Sequence, residues 1–322
     1  MRAYVLTSEG PRVVSHEVPA IRSSDVLVRV RACALNRVDL TMARGHKHGS
    51  AGGQGSVLGV EWAGEIEEVG ADVPDWQPGD KVMCSGAGAF AEFAVTDWGR
   101  VLPLPAALSF EQGAGLAVAL QTMHDAIVTQ GQLRVDQRVL VHGASAGVGL
   151  MALQIAKEMG ASWIAGTSTH VERRARLHEF GCDLALDSND ASWVDALLAA
   201  TDQEGVQLTI DQLSGPAFER TMRATSIGGR IVNVGRLAGA EASFDFDLHA
   251  LRRLSYVGVT FRTRTRAEVR DLTRKLRVDL APALQRGRLT LPIDRVYPFD
   301  EIGVALERMR ENRHFGKIVL KL

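Results

Sequence analysis

The chain has 322 residues, 46% of them hydrophobic and 23% charged, a mix that suits about two globular domains. Its 37 Lys and Arg nearly balance 38 Asp and Glu, and a net charge of -1 gives no electrostatic footing for nucleic acid or an anionic membrane surface. The three cysteines, Cys33, Cys84 and Cys182, include no Cys-x-x-Cys pair, which argues against a disulfide framework and a cysteine-rich zinc site.

The opening MRAYVLTSEG has no apolar run of signal-peptide length, and no later run is long enough to span a bilayer, so a cytoplasmic protein is expected. Residues 1–119 read as short strands and turns. Val26, Val28 and Val30 alternate with Leu27, Arg29 and Arg31, the period-2 pattern of a strand with one wet face. Pro78-Gly79-Asp80 is a turn before Lys81-Val82-Met83, and residues 89–95 read as another strand. The segment HKHGSAGGQGS, residues 46–56, is glycine-rich and polar; it suits either a surface linker or a lid over a substrate cleft.

Residues 120–262 alternate strands with helices, the pattern of a doubly wound parallel α/β sheet. The expected strands are 138–142, 163–167, 184–187, 206–213, 230–235 and 255–261. Residues 263–322 carry helical patterns at 266–286 and 300–312 and end in a strand, 317–322.

The stretch VLVHGASAGVGLMALQIAKEMGA lays out a strand, a glycine turn and a helix. Val148, Ala152, Ile155 and Met159 share one helical face, and Gly160 suits the C-terminal cap. Gly143, Gly147 and Gly149 let backbone approach a pyrophosphate at the helix N-terminus, although the spacing is not G-x-G-x-x-G. In NAD sites a carboxylate closes the second strand. Here that strand ends in Thr167 and Ser168, with no acid. Thr169 to Glu172 match a capping box, which would place Arg173 and Arg174 in the first turn of a helix, where the macrodipole disfavours cations. A 2′-phosphate would supply the missing countercharge, so NADPH is expected over NADH; otherwise these arginines face solvent.

Together with VRVRACALNRVDL, VLGVEWAGEIEEVG, PGDKV, FAEFAV and the closing GKIVLKL, this glycine stretch closely resembles the zeta-crystallin-like quinone oxidoreductase branch of the medium-chain dehydrogenase/reductase superfamily. The resemblance implies a mainly β GroES-like catalytic domain, residues 1–119 and 263–322, around a Rossmann domain, residues 120–262. It also implies NADPH in the cleft between them and a homodimer joined through the edge strand from Ser255 to Phe261.

Zinc-dependent members of that superfamily place a cysteine where this chain has Asn36 and a histidine where it has Val60, and four structural cysteines after the turn at 78–80 are missing. No metal is expected, and a small-molecule acceptor must then be activated already, as quinones and α,β-unsaturated carbonyls are. The resemblance puts Asn36, in the lost ligand position, and Thr122 beside substrate and nicotinamide. His124 is a candidate proton donor. Ala146, Gly147 and Val148 would cradle the pyrophosphate; Asn233, Val234 and Phe261 would contact the nicotinamide half; Gly316 and Lys317 match the tail motif that returns to the cleft. The leading expectation is a zinc-independent NADPH oxidoreductase reducing a quinone or an enone. A zinc-type alcohol dehydrogenase and a non-catalytic NADPH-binding protein stay open.

Overall fold

The computed structural model describes every residue from Met1 to Leu322 and divides into two compact units, Met1–Gln121 with Phe261–Leu322, and Thr122–Thr260. The first unit opens with the antiparallel hairpin β1 (Arg2–Thr7) and β2 (Gly10–Ser15). There follow β3 (Asp25–Ala34), α1 (Arg37–Met42), β4 (Glu61–Val69), β5 (Lys81–Ser85), β6 (Phe93–Asp97), β7 (Val101–Pro103) and α2 (Phe110–Ala114). Helix α3 (Ala117–His124) runs over the division and continues as a π-helical turn, Asp125–Thr129.

The second unit contains β8 (Arg138–Val141), α4 (Gly147–Glu158), β9 (Trp163–Thr167), α5 (Val171–Ala175), β10 (Leu184–Leu186), α6 (Trp193–Ala199), β11 (Val206–Asp211), α7 (Phe218–Ala224), β12 (Thr225–Asn233), α8 (Phe246–Arg252) and β13 (Ser255–Gly258). The chain then returns to the first unit with α9 (Arg266–Gln285), β14 (Ile293–Pro298), α10 (Ile302–Arg310) and β15 (Lys317–Lys321).

The first unit is built on a seven-stranded mixed sheet, ordered β14-β15-β3-β4-β5-β7 with β6 on β3. Trp62, Phe90, Leu35, Met42 and Leu58 are buried in its core. Removing such side chains from water stabilises this core by about 25 cal/mol per Å² of apolar surface. The second unit is a six-stranded sheet, ordered β10-β9-β8-β11-β12-β13, parallel throughout. Counted from β8, this is the order 3-2-1-4-5-6, and the direction of winding reverses between β8 and β11. At such a reversal the carboxyl ends of two neighbouring strands open a crevice.

The strand expected at 89–95 starts only at Phe93, because Phe90 and Glu92 give their N–H groups to Leu58 and Arg2 instead. The one expected at 255–261 ends at Gly258; Val259 still donates to Asn233, and the chain then leaves the sheet. The expected strand 230–235 begins earlier, at Thr225, and stops at Asn233. Strand β14 was not expected, since Pro292 and Pro298 frame it and Pro cannot donate to a ladder.

Candidate functional site

Beyond β8 the chain turns through His142 and Gly143, and Gly143 sits at φ +70, a conformation that favours glycine. A Cβ on Gly149 would lie 2.5 Å from the Gly143 carbonyl oxygen, so α4 can pack on this turn only with that position bare. Ala146 caps the twelve-residue α4 without any side-chain hydrogen bond, and no acid stands in its first turn. Ala146, Gly147 and Val148 are part-exposed there. Unsatisfied N–H groups at the positive end of a long helix fit a pyrophosphate.

The turn is braced from below. Gly143 donates its N–H to the Thr167 hydroxyl at 3.1 Å. His142 Nδ1 lies 3.2 Å from the same oxygen, and Nε2 lies 3.1 Å from the Thr221 hydroxyl. Thr221 donates to the Ala217 carbonyl at 3.0 Å, so it accepts from Nε2–H, and Nδ1 is left bare to accept from Thr167. The pattern assigns a neutral imidazole in one tautomer. Burial lowers its pKa to about 4, opposed by Asp211 and aided by Arg220. Thr167 is wholly buried and braces the turn. Ser168, also buried, donates to Ser145 in the glycine turn at 2.9 Å.

The arginines differ from expectation. The capping box at Thr169 does not form: α5 is capped by His170 without a side-chain bond and runs only five residues, with Arg173 and Arg174 in its last turn. Cations are favoured there, so the macrodipole gives no sign of a missing anion. Both side chains are nevertheless half-buried instead of solvated. Arg174 donates to the Ser168 carbonyl at 3.0 Å and pairs with Asp187, just past β10, at 2.8 Å.

On the other side of the crevice, Asp211 ends β11 and accepts from the N–H groups of Leu213 and Ser214 at 2.9 and 3.0 Å. Ser214 is held at φ +54, a strained conformation for serine that costs on the order of 1–3 kcal/mol. Its hydroxyl donates to the Gly235 carbonyl at 2.9 Å and accepts from the Asn233 carboxamide. Asn233 is buried in this network, and Val234 beside it is part-exposed. Asp211, Ser214 and His142 escaped the sequence reading; the signal was an acid at a strand end followed by Ser214-Gly215.

In the first unit, Asn36 caps α1 by position, yet its side chain turns elsewhere. Nδ2 donates to Glu61 Oε1 at 2.8 Å, and Oδ1 accepts from Lys317 Nζ at 3.1 Å. Lys317 also pairs with Glu61, and Glu61 Oε2 accepts from the Val118 N–H at the start of α3 at 3.1 Å. Glu61 is 0% and Lys317 6% exposed, while Asn36 stands half-buried at the rim. One N–H of the carboxamide is left over. Lys317 is thus the counterion of Glu61. Gly316, at φ +87, places it there: a Cβ at 316 would lie 2.0 Å from the Pro292 carbonyl oxygen. Glu61 was missed, although an acid inside VLGVEWAG was a signal.

Asp39, fully buried nearby, accepts from the Asn36 N–H at 2.6 Å, and its Oδ1 has no hydrogen-bond partner. Burial raises its pKa to about 7; the Asn36 bond lowers it, Glu61 raises it and Lys317 lowers it. On α3, Val118 and Thr122 are part-exposed and, four residues apart, share a face. His124, the candidate proton donor, is 0% exposed. Phe261 lies beyond β13, at the start of the returning segment, with the Arg264 guanidinium 5.7 Å from its ring centre.

Two family models match the chain, "Alcohol dehydrogenase GroES-like domain" over residues 22–106 and "Zinc-binding dehydrogenase" over residues 147–277. The quinone oxidoreductase of Rattus norvegicus is 30% identical over 320 residues, covering 97% of this chain and 95% of that protein. The chain belongs to the zeta-crystallin-like quinone oxidoreductases of the medium-chain dehydrogenase/reductase superfamily. Among solved structures, a probable oxidoreductase from Mycobacterium abscessus is 27% identical with a TM-score of 0.86, covering 100% of this chain and 99% of that one. A quinone oxidoreductase from Pseudomonas syringae pv. Tomato DC3000, 24% identical with a TM-score of 0.87 and 100% coverage of both chains, shares the fold.

As a member of this family, the chain is an oxidoreductase that works with a nicotinamide cofactor. The open helix end at Ala146 to Val148 and the crevice beside it fit such a dinucleotide. Zinc does not fit. Asn36 and Val60 offer no ligand, and no three His, Cys, Asp or Glu are grouped to hold a metal ion. Cys33 and Cys84 flank Trp62 across β3, β4 and β5 and are both fully buried, with no His, Asp or Glu grouped with them to complete a metal site. No helix is long and apolar enough to cross a membrane.

Proposed function

We propose that this chain is a zinc-independent, NADPH-dependent oxidoreductase that delivers a hydride to a quinone or to the double bond of an α,β-unsaturated carbonyl. The observation that carries this reading is the Asn36 carboxamide, fixed by Glu61 and Lys317 where a metal ligand would otherwise stand, with one N–H to spare. That donor suits the oxygen of a conjugated carbonyl, where negative charge develops on hydride arrival. Because Glu61 and Lys317 orient the carboxamide beforehand, no reorganisation is needed when the charge appears. The reduced nicotinamide supplies the hydride when bound. Val118 and Thr122 give α3 an open face for the acceptor's apolar body, and with His124 sealed in the interior the proton comes from solvent.

The preference for NADPH is supported by the absence of a carboxylate at Thr167-Ser168 and by the half-buried Arg173 and Arg174. Three unpaired buried thiols suit a reducing compartment, the cytoplasm. A homodimer through β13 is supported by its place at the edge of the sheet and by exposed Tyr256, with Phe246 and Leu251 just before it. Sedimentation should give twice the 34.8 kDa chain mass, and a monomer at micromolar concentration would refute the dimer.

Purified protein should consume NADPH only when a quinone or enone is added, and a chelator should not change the rate. Asn36→Ala should lower kcat by about 100-fold, as loss of an oxyanion donor does. No acceptor-dependent consumption across a panel of both classes, or activity lost with stoichiometric zinc, would overturn the reading.

A further inference from the structure

The carboxyl ends of β9 and β10 lie side by side, since Ser168 donates its N–H to the Leu186 carbonyl at 3.0 Å. The next residue after Leu186 is Asp187. A continuous chain of contacts therefore starts at the glycine turn: Ser145 to Ser168 at 2.9 Å, the Ser168 carbonyl to Arg174 at 3.0 Å, and Arg174 to Asp187 at 2.8 Å. The guanidinium side chain is 21% and the carboxylate side chain 32% exposed, so both are within reach of a bound molecule.

This places two opposed groups at one spot beside the nucleotide-binding turn. A 2′-phosphate carries about -1.5 to -2 charge and needs a cation. A bare 2′-hydroxyl prefers a carboxylate. Arg174 could serve the first, but one of its N–H groups already faces a carboxylate that would repel the phosphate. We propose that Asp187 is a specificity-determining residue: by holding Arg174 as an ion pair, it lowers the discrimination between the 2′-phosphate of NADPH and the 2′-hydroxyl of NADH. The inference rests on the NADPH reading above, in that Arg174 is taken as the phosphate partner. The Ser168 carbonyl keeps Arg174 in position when the carboxylate charge is removed, so the cation becomes available without having to be rebuilt.

Binding of 2′,5′-ADP and of 5′-AMP to the full chain, measured by calorimetry for the unaltered protein, Asp187→Asn, Arg174→Gln and the double variant, tests this without any turnover. Asp187→Asn should tighten 2′,5′-ADP about five- to tenfold, the reach of one half-exposed ion pair plus a removed repulsion, and leave 5′-AMP within about twofold. Arg174→Gln should weaken 2′,5′-ADP and abolish the gain in the double variant. An unchanged ratio of the two ligands in Asp187→Asn overturns the inference, as does an equal change for both, which a merely structural role would give. Weakened 5′-AMP in Asp187→Asn also overturns it, assigning the carboxylate to the ribose hydroxyl. If the unaltered protein binds 5′-AMP as tightly as 2′,5′-ADP while Asp187→Asn shifts the ratio towards 2′,5′-ADP, the NADPH reading fails and the role of Asp187 stands.

Discussion

Around the glycine turn of the second unit, His142 is neutral, its two ring nitrogens are both bonded to hydroxyls, and Asp211 accepts from two backbone N–H groups. Around Asn36 of the first unit, a Lys–Glu pair is buried beside Asp39, a carboxyl with one oxygen lacking any partner. Both clusters hold one group in place, the first a backbone turn and the second a carboxamide. The second unit does it with fully satisfied hydrogen bonds, which cost little and are indifferent to pH near neutrality. The first unit does it with charge, which fixes Asn36 more firmly but leaves the cluster sensitive to the loss of any one member.

The largest expected effect breaks the charged cluster. Glu61→Ala strands the Lys317 ammonium and should cost about 3–5 kcal/mol of stability, whereas Glu61→Gln with Lys317→Met together should cost less than Glu61→Ala alone. Chemical denaturation of the two variants checks this; equal losses would mean that the pair is solvated and the contrast between units is false.

The next two effects use pH to separate the units. The folded pKa of Asp39, about 7, lies above its unfolded value of 3.8. The folded first unit therefore holds a proton that the unfolded chain has lost, and its stability should fall by about 4 kcal/mol as pH rises from 4 to 7. His142 runs the other way, with a folded pKa of about 4 below its unfolded 6.5. There the unfolded chain holds the extra proton, so the second unit should lose about 3 kcal/mol as pH drops from 6.5 to 4. Amide hydrogen exchange in β3 and β8, corrected for the intrinsic rate, reads the two slopes separately. Asp39→Asn should flatten the first and leave the second; slopes of the same sign in both strands would contradict the comparison.

The glycine turn was legible in the sequence because everything it needs is local: a short buried strand, a left-handed turn at Gly143 and a helix within twenty residues. The alternation of strands and helices was legible for the same reason. The cluster at Asn36 was not, because its members come from positions 36, 39, 61, 118 and 317 and meet only through sheet pairing. Lys317 was singled out from the resemblance, yet nothing in its neighbourhood revealed Glu61 as its partner. The capping box written in four residues after β9 does not form: α5 is capped one residue later, by His170, and its five residues leave Arg173 and Arg174 in the last turn. His124 looked suited to proton transfer by residue type, and its complete burial is something a helical period alone does not give.

Glu61 also has a consequence for biosynthesis. The second unit is one continuous segment, residues 122–260. The Glu61 carboxylate must wait for Lys317, 256 residues later, before its charge is answered. A nascent chain emerges N-terminal end first, so the second unit can fold on the ribosome while β4 is still without its counterion. The sheet of the first unit is then completed last, when β15 adds to β3 and brings the ammonium with it. A truncation that removes only β15 would leave a nucleotide-binding unit that is intact and a first unit that never closes.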